Sequence, residues 1–322
     1  MRLFKQGTYH RTKDQKRNSR SGSKTEEIIA SDQDSTYAIK VIGLKKNYGE
    51  KEVLKGIDLT VNKGDIFGLL GGNGVGKTTM LECIEGLRTY EDGKIILHGS
   101  IAIQLQSSSL PEGIRTREAI ELFCGWNHCS TDQELLKELD INYFDKTSYQ
   151  NMSTGQKRKL HLALALLAKP DILFLDEPTA GLDVEARVTL HRKLRQLNTE
   201  GTTILLASHD MAEVEQLCDK VAVLKDGILA FDGTPSQMRE KLNIAQQIYL
   251  KLASELPKVS LINSRFLKME EEYYVYEGKD LSSALFELLT IVSENKCQVI
   301  DLKIQTATLE DCFLSMVKEE IV

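Results

Sequence analysis

The chain lacks any apolar run long enough to cross a membrane. The longest candidate, Leu160 to Ala168, is too short and contains His161. A role in a membrane therefore requires a separate polypeptide. Excess charge is also scarce. Lys and Arg number 41 against 47 Asp and Glu, and the net charge of −6 argues against a dedicated nucleic-acid binder. Cysteines are few and scattered, six in 322 residues, at 83, 124, 129, 218, 297 and 312. That distribution reads as reduced, buried thiols of a cytosolic protein. The one cluster with metal-like residues, Cys124, His128 and Cys129, lacks a second ligand pair, so a zinc site is not expected.

Apolar residues are also nearly absent from the start of the chain after Phe4. The segment to about Thr36 is polar and basic, carrying Arg2, Lys5, Arg11, Lys13, Lys16, Arg17, Arg20 and Lys24. No apolar core follows these charges, which excludes a secretory signal. The composition predicts a disordered basic tail over residues 1–36, with a tether to anionic headgroups as the second reading.

What the chain does contain is a phosphate loop. Gly71-Gly72-Asn73-Gly74-Val75-Gly76-Lys77-Thr78-Thr79 fits the pattern G-x-x-x-x-G-K-[ST]. The apolar stretch Asp65 to Leu70 before it reads as a buried strand, and Met80 to Leu87 after it as a helix. Strand, glycine loop and helix are the context in which the pattern has physical meaning. Backbone N–H groups freed by glycine converge on phosphate oxygens, aided by the positive end of the following helix. In this reading Lys77 reaches the β- and γ-phosphates and Thr78 places a hydroxyl on Mg²⁺.

A second motif stands downstream. Ile172-Leu173-Phe174-Leu175 reads as a buried parallel strand, and Asp176 and Glu177 follow it, at the end where open α/β sheets bind ligands. Asp176 is expected to hold Mg²⁺, directly or through water. Glu177 is expected to orient and deprotonate an attacking water.

From Tyr37 strands and helices alternate, which points to α/β architecture with a parallel sheet covered by helices. After about Asn243 the pattern restarts as a small α+β module over 244–322, with strands at Gln246 to Leu252, Arg265 to Met269, Tyr273 to Tyr276 and Val299 to Ile304, a helix at Leu281 to Asn295 and a closing helix at Thr308 to Val317.

Between the two phosphate motifs lies Met152-Ser153-Thr154-Gly155-Gln156. Here the chain resembles the ATP-binding cassette (ABC) family, whose signature is usually written LSGGQ. Thr154 replaces the first signature glycine, and Gly72 a frequent phosphate-loop proline. The resemblance covers about Tyr37 to Gln237. It implies a RecA-like P-loop NTPase core with an antiparallel β subdomain and a helical subdomain near 107–168, the whole ATP-binding domain spanning 37–243. It further implies that Tyr48 stacks on adenine and that residues 71–79 cradle the phosphates of ATP. Gln106 falls at the coupling-loop glutamine that approaches Mg²⁺, with Gln104 as its competitor. Ala180-Gly181-Leu182-Asp183 resembles the loop that meets an opposing subunit, and His209 the switch histidine at the γ-phosphate. Ser153, Gly155 and Gln156 would complete the nucleotide site of a second ABC ATP-binding subunit, so a homodimer or a related pair is implied.

The segment Ala307 to Leu314 is similar to the end of ATP-binding subunits of multidrug and antibiotic exporters. The expectation is thus an ATPase on the cytoplasmic face of a membrane, hydrolysing ATP with Mg²⁺ and driving a separate integral-membrane permease, with no nucleic-acid partner. The competing class is a soluble ATPase of the same family acting on nucleic acid or ribosomes. Intact Asp176, Glu177 and His209 argue against a non-hydrolytic regulatory module.

Overall fold

The structure is a computed structural model that describes residues 4–5, 9–12, 36–104, 110–167, 169–242, 244–254 and 261–318. The chain divides into two compact units, Met1–Gly233 and Thr234–Val322.

In the first unit, strands β1 (Phe4–Lys5) and β2 (Tyr9–Thr12) precede the long hairpin β3 (Tyr37–Tyr48) and β4 (Lys51–Asn62). There follow β5 (Ile66–Leu70), α1 (Lys77–Glu85), β6 (Asp92–Leu97) and β7 (Ile101–Gln104). A helical region holds α2 (Thr116–Asn127), α3 (Gln133–Glu138) and α4 (Thr154–Leu167). The unit ends with β8 (Ile172–Asp176), α5 (Val184–Thr199), β9 (Thr203–Ala207), α6 (Met211–Leu217), β10 (Lys220–Lys225) and β11 (Ile228–Gly233).

Seven strands form the main sheet in the order β1-β7-β8-β9-β5-β10-β11. From β7 to β10 neighbours are parallel, and β1 and β11 close the two edges antiparallel. The central strands are short apolar runs because both faces are covered: every residue of β5 and β9, and Ile172 to Leu175 of β8, are buried. Parallel pairing places the C-terminal ends of β5, β8 and β9 along one edge. The turn from β10 to β11 uses Asp226 (φ 49°) and Gly227 (φ 82°), the two positive φ angles a tight two-residue hairpin needs.

The second sheet is antiparallel, in the order β2-β6-β3-β4. Alternate residues of β3 and β4, among them Ile39, Val41, Leu59 and Val61, face inward. They share one core with Phe67, Leu69, Met80, Ile84 and Phe174. That shared core fixes the hairpin carrying Tyr48 against the strand that carries the phosphate loop.

The second unit contains α7 (Pro235–Leu242), β12 (Gln246–Leu252), β13 (Arg265–Glu270), β14 (Tyr273–Gly278), α8 (Leu281–Glu294), β15 (Val299–Gln305) and α9 (Leu309–Lys318). Its antiparallel sheet runs β13-β14-β12-β15, and Ala284, Leu288 and Val292 of α8 pack on Ile248, Leu250 and Tyr276.

Three features depart from expectation. The second unit begins at Thr234, ahead of the predicted boundary at 244, because α7 packs against α9. Within the tail expected to be disordered, β1 pairs with β7 and β2 with β6. An exposed strand edge offers such pairing to any extended segment. Helix α5 carries no expectation at all from the sequence pattern, yet it is one of the longest helices described. Among the described residues no helix is long and apolar enough to cross a membrane.

Phe174 is fully buried on the strand that ends in the two acids. Phe174→Ala is expected to lower stability by about 3–5 kcal/mol, read as a shift in the urea unfolding midpoint.

Candidate functional site

The phosphate loop leaves the C-terminal end of β5 and enters α1. Gly76, at the N-terminal cap of α1, has φ 114°, and a Cβ there would meet Val53 Cγ1 at 3.0 Å. Glycine is required on both counts. Lys77 follows, almost wholly buried, and its Nζ donates to the carbonyl oxygens of Gly71 (2.8 Å) and Gly72 (3.1 Å). Burial pushes the Lys77 amine below its usual pKa, while Glu177 and Asp176 pull it back up.

Thr78 Oγ1 donates to Asp176 Oδ2 at 3.0 Å. The loop and the acidic strand, 98 residues apart in sequence, meet at this bond. Burial raises the Asp176 pKa, the Thr78 hydrogen bond opposes that rise, and the Glu177 carboxylate adds to it. One hydroxyl and one carboxylate side by side suit a hard, oxygen-seeking cation that keeps several waters and binds phosphate oxygens. Among the described residues no group of three or more His, Cys, Asp or Glu could form an all-protein cage. The donor set therefore fits Mg²⁺ carried in with a nucleotide better than a resident metal.

Glu177 lies 2.7 Å through Oε2 from His209 Nδ1, which follows β9. A carboxylate only accepts, so with Glu177 ionised the proton of this bond sits on Nδ1. The Glu177 backbone has φ 51°, an uncommon conformation for a residue with a Cβ. Two bonds hold it there: Glu177 N donates to Ala207 O (2.9 Å), and Arg158 of α4 donates to Glu177 O (3.1 Å).

An open cleft of about 530 Å³ connects these parts. It is lined by Tyr48, Lys51, Val53, Asn73, Gly74, Gly76, Lys77, Thr78, Thr79 and Glu177. Tyr48, 42% exposed, carries Lys46 Nζ 5.3 Å and the Arg88 guanidinium 5.4 Å from its ring centre. Val75 does not line the cleft and packs against the core. Gly71 and Gly72 contribute their carbonyl oxygens to Lys77.

Ser153, Gly155 and Gln156 stand apart from this lining. Ser153 N–H donates to Gln156 Oε1 (2.9 Å), and Gln156 N–H donates to Ser153 Oγ (3.2 Å). This reciprocal box caps the start of α4. Gln106 lies outside the described residues. Its competitor Gln104 is buried on β7 and lines a separate small cavity with Arg158, Leu162, Pro178 and Leu190.

One buried carboxylate escaped sequence reasoning. Glu213 of α6 accepts from Ser208 Oγ (2.8 Å) and Thr179 Oγ1 (3.0 Å) through Oε2, and its Oε1 lies 3.4 Å from His191 Nε2. It thereby joins the residue before His209 to the turn after Glu177. Its sequence signal is weak, because an acid in the first turn of a helix usually faces solvent. Glu85, at the end of α1, is a second buried acid. Burial, helped by the nearby Asp176 and Glu82 carboxylates, raises its pKa to about 8.

A glycine loop cradling a buried lysine, a hydroxyl–carboxylate pair and a carboxylate–imidazole pair at one edge of a parallel sheet define a P-loop nucleoside triphosphatase. Residues 54–180 match the family described as ABC transporter. The chain is 30% identical to the linearmycin resistance ATP-binding protein LnrL of Bacillus subtilis, over 85% of this chain and 96% of that protein. It is 32% identical to the Nod factor export ATP-binding protein I of Rhizobium meliloti, over 89% of this chain and 90% of that protein. A solved ATP-binding subunit of an ABC transporter superposes with a TM-score of 0.59 at 25% identity, covering 63% of this chain and 92% of the other. The chain belongs to the ABC transporter family and is an ATP-binding, ATP-hydrolysing subunit of it.

Two buried acids yield expected outcomes. Glu213→Ala leaves the Ser208 and Thr179 hydroxyls without their acceptor, and a loss of about 2–4 kcal/mol is expected by denaturant titration. Glu85 binds its proton more tightly folded than unfolded, so its contribution to stability is full below about pH 4.5 and is lost as pH rises toward about 8. Glu85→Gln is therefore expected to melt near the parent temperature at pH 5 and above it at pH 8.5.

Proposed function

We propose that this ATPase subunit drives export through a separate membrane-spanning protein and works at the cytoplasmic face as one half of a nucleotide-bridged pair. The single observation that carries the catalytic part is the convergence of the Thr78–Asp176 and Glu177–His209 pairs at the mouth of the Lys77 loop. The relatives named for linearmycin resistance and for Nod factor export support the export part. Among the described residues no helix is long and apolar enough to cross a membrane, in keeping with passage through another chain.

In the proposed mechanism the loop N–H groups of residues 71–79 and Lys77 hold the phosphates of ATP, and Tyr48 receives the adenine. Thr78 and Asp176 would hold Mg²⁺, with Gln106 expected toward it, and the bound ion would supply charge neutralisation to the phosphates. Glu177 accepts a proton from water as the water oxygen bonds to the γ-phosphorus. The bond from that phosphorus to the bridging oxygen breaks, and its electron pair leaves with ADP. His209, oriented by its Nδ1–H bond to Glu177, positions the water and the γ-phosphate. The exposed start of α4 points to the complementary half. That Ser153 and Gly155 do not line the cleft of their own chain supports the reading that they complete the site of a second ABC ATP-binding subunit, with Gln156 capping the helix that presents them.

Glu177→Gln is expected to keep ATP affinity within a few-fold while slowing hydrolysis by a factor on the order of 10²–10⁴. With ATP and Mg²⁺ it should also accumulate as a dimer in light scattering. Undiminished hydrolysis removes Glu177 from the mechanism, and a variant that stays monomeric removes the bridged pair.

A further inference from the structure

The second unit ends its sheet on β15, a seven-residue edge strand. One side of β15 pairs with β12, Leu302 opposite Leu250 and Ile304 opposite Ile248. The other side meets no strand among the described residues. Natural edges of this kind are usually short, kinked or heavily charged. The opposite edge, β13, has its register broken between Phe266 and Lys268. β15 keeps a regular register with β12 from Asp301 to Gln305, and its one shift falls at Ile300, between the Asp301–Lys251 and Val299–Leu252 pairs.

The two faces of β15 differ in kind. Ile300, Leu302 and Ile304 alternate along it and are 56%, 37% and 42% exposed. Leu302 and Ile304 share a face with their partners Leu250 and Ile248, which lie under α8 in the core. The apolar layer thus runs out from the covered core and stops, exposed, at the edge. Leu289, 42% exposed, lies on the flank of α8 opposite Glu287, whose carboxylate holds the backbone of Ile262, Asn263 and Ser264 ahead of β13. It therefore overhangs the β15 side. On the other face of the strand, Asp301 and Lys303 lie 3.5 Å apart, and Tyr273 OH donates to Asp301.

We propose that β15 docks a second copy of this chain, pairing antiparallel with the same strand of that copy about a two-fold axis at Leu302. In this register Leu302 meets Leu302, and Ile300 meets Ile304 twice. On the opposite face each Asp301 meets a Lys303. The charges select both the register and the occupant. An axis at residue 303 sets lysine against lysine, and an axis at 301 sets aspartate against aspartate. An axis between residues 301 and 302 sets a charge into the apolar face. Of these axes the Leu302 one alone is complementary on both faces, and complementarity of a strand to itself is a property of an isologous pair. The result is one continuous sheet with both copies of α8 on the same face. The pairing does not rest on the nucleotide-bridged dimer, and it requires no nucleotide.

The test is disulfide trapping in the full chain without nucleotide, with the unsubstituted chain as the background for its native cysteines. Opposed residues of an antiparallel pair lie within the Cα separation a disulfide spans. Leu302→Cys alone is expected to give a covalent dimer whose mapped bond is 302 to 302. Ile300→Cys or Ile304→Cys alone should stay at background, and the two together should cross-link. In the Leu302→Cys chain, Asp301→Lys or Lys303→Asp should each lower the yield several-fold, and the two together should restore it. All of these positions but Asp301 are exposed, and unchanged melting temperatures confirm that the variants fold. Equal cross-linking at 300, 302 and 304, or none at 302, overturns the proposal. The second result would leave the edge to a strand from a different protein.

Discussion

Placing charge at the dry end of a buried strand is the constraint from which the rest of this molecule follows. Asp176 and Glu177 are adjacent carboxylates beyond four buried apolar residues. Removing even one ion from water costs several kcal/mol unless it is paired. The fold answers with Lys77, buried and bonded to two carbonyls, and with the Thr78 hydroxyl on Asp176. These partners all come from the loop after β5, and β9 lies between that strand and β8. The parallel sheet therefore does electrostatic service as well as structural service. It brings the N-terminus of α1 to the same edge as the acids, where a positive helix end and a fixed ammonium offset their repulsion.

The same edge stores strain. Glu177 keeps a left-handed backbone only because Ala207 and Arg158 grip it from two sides. Arg158 belongs to α4, little more than one turn from the Ser153–Gln156 box that opens the helix. A displacement of α4 therefore acts on the carbonyl of Glu177 directly, through one charged hydrogen bond. Glu213 plays the corresponding part on the other side, tying Ser208 and Thr179 to one buried carboxylate. Glu177 and His209 thus sit between two rigid ties, one leading to α4 and one to α5 and α6.

The parts of this arrangement visible in sequence are those in which a local pattern has one cheap structural solution. Apolar runs such as Ile66–Leu70 and Thr203–Ala207 have only a doubly covered strand available to them. Asp226-Gly227 between two such runs leaves only a tight hairpin. Helix α5 was hidden because it buries few residues, Leu190, Leu194 and Leu197, and its Asp183 cap also belongs to a loop motif. Its start was legible only as Asp183 accepting from Ala186 N, a bond that needs the structure to be seen. Glu213 was hidden for a different reason. Its partners Thr179 and His191 lie 34 and 22 residues away, and no local rule distinguishes it from the exposed acids around it. The β1 and β2 pairings were hidden by composition, since a polar basic segment carries no apolar alternation from which a strand is read.

The geometry also bears on how hydrolysis changes shape. In the proposed mechanism one nucleotide lies between Lys77 of one copy and the start of α4 of another. The γ-phosphate is the atom group shared by both, so it carries the bridge. Splitting it from ADP divides the negative charge between two separate anions and hands a proton to Glu177. Like unit charges about 4 Å apart repel by about 4 kcal/mol at an effective dielectric constant near 20. A change of about 5.5 kcal/mol in the balance is enough to turn a 99:1 equilibrium into 1:99. The repulsion between products is of that order. The energy that opens the pair therefore need not come from strain spread through the fold, because it can be generated at the bond that breaks. In the proposed pair, the Arg158 tie couples the Glu177 backbone to the helix whose exposed start would face the other copy.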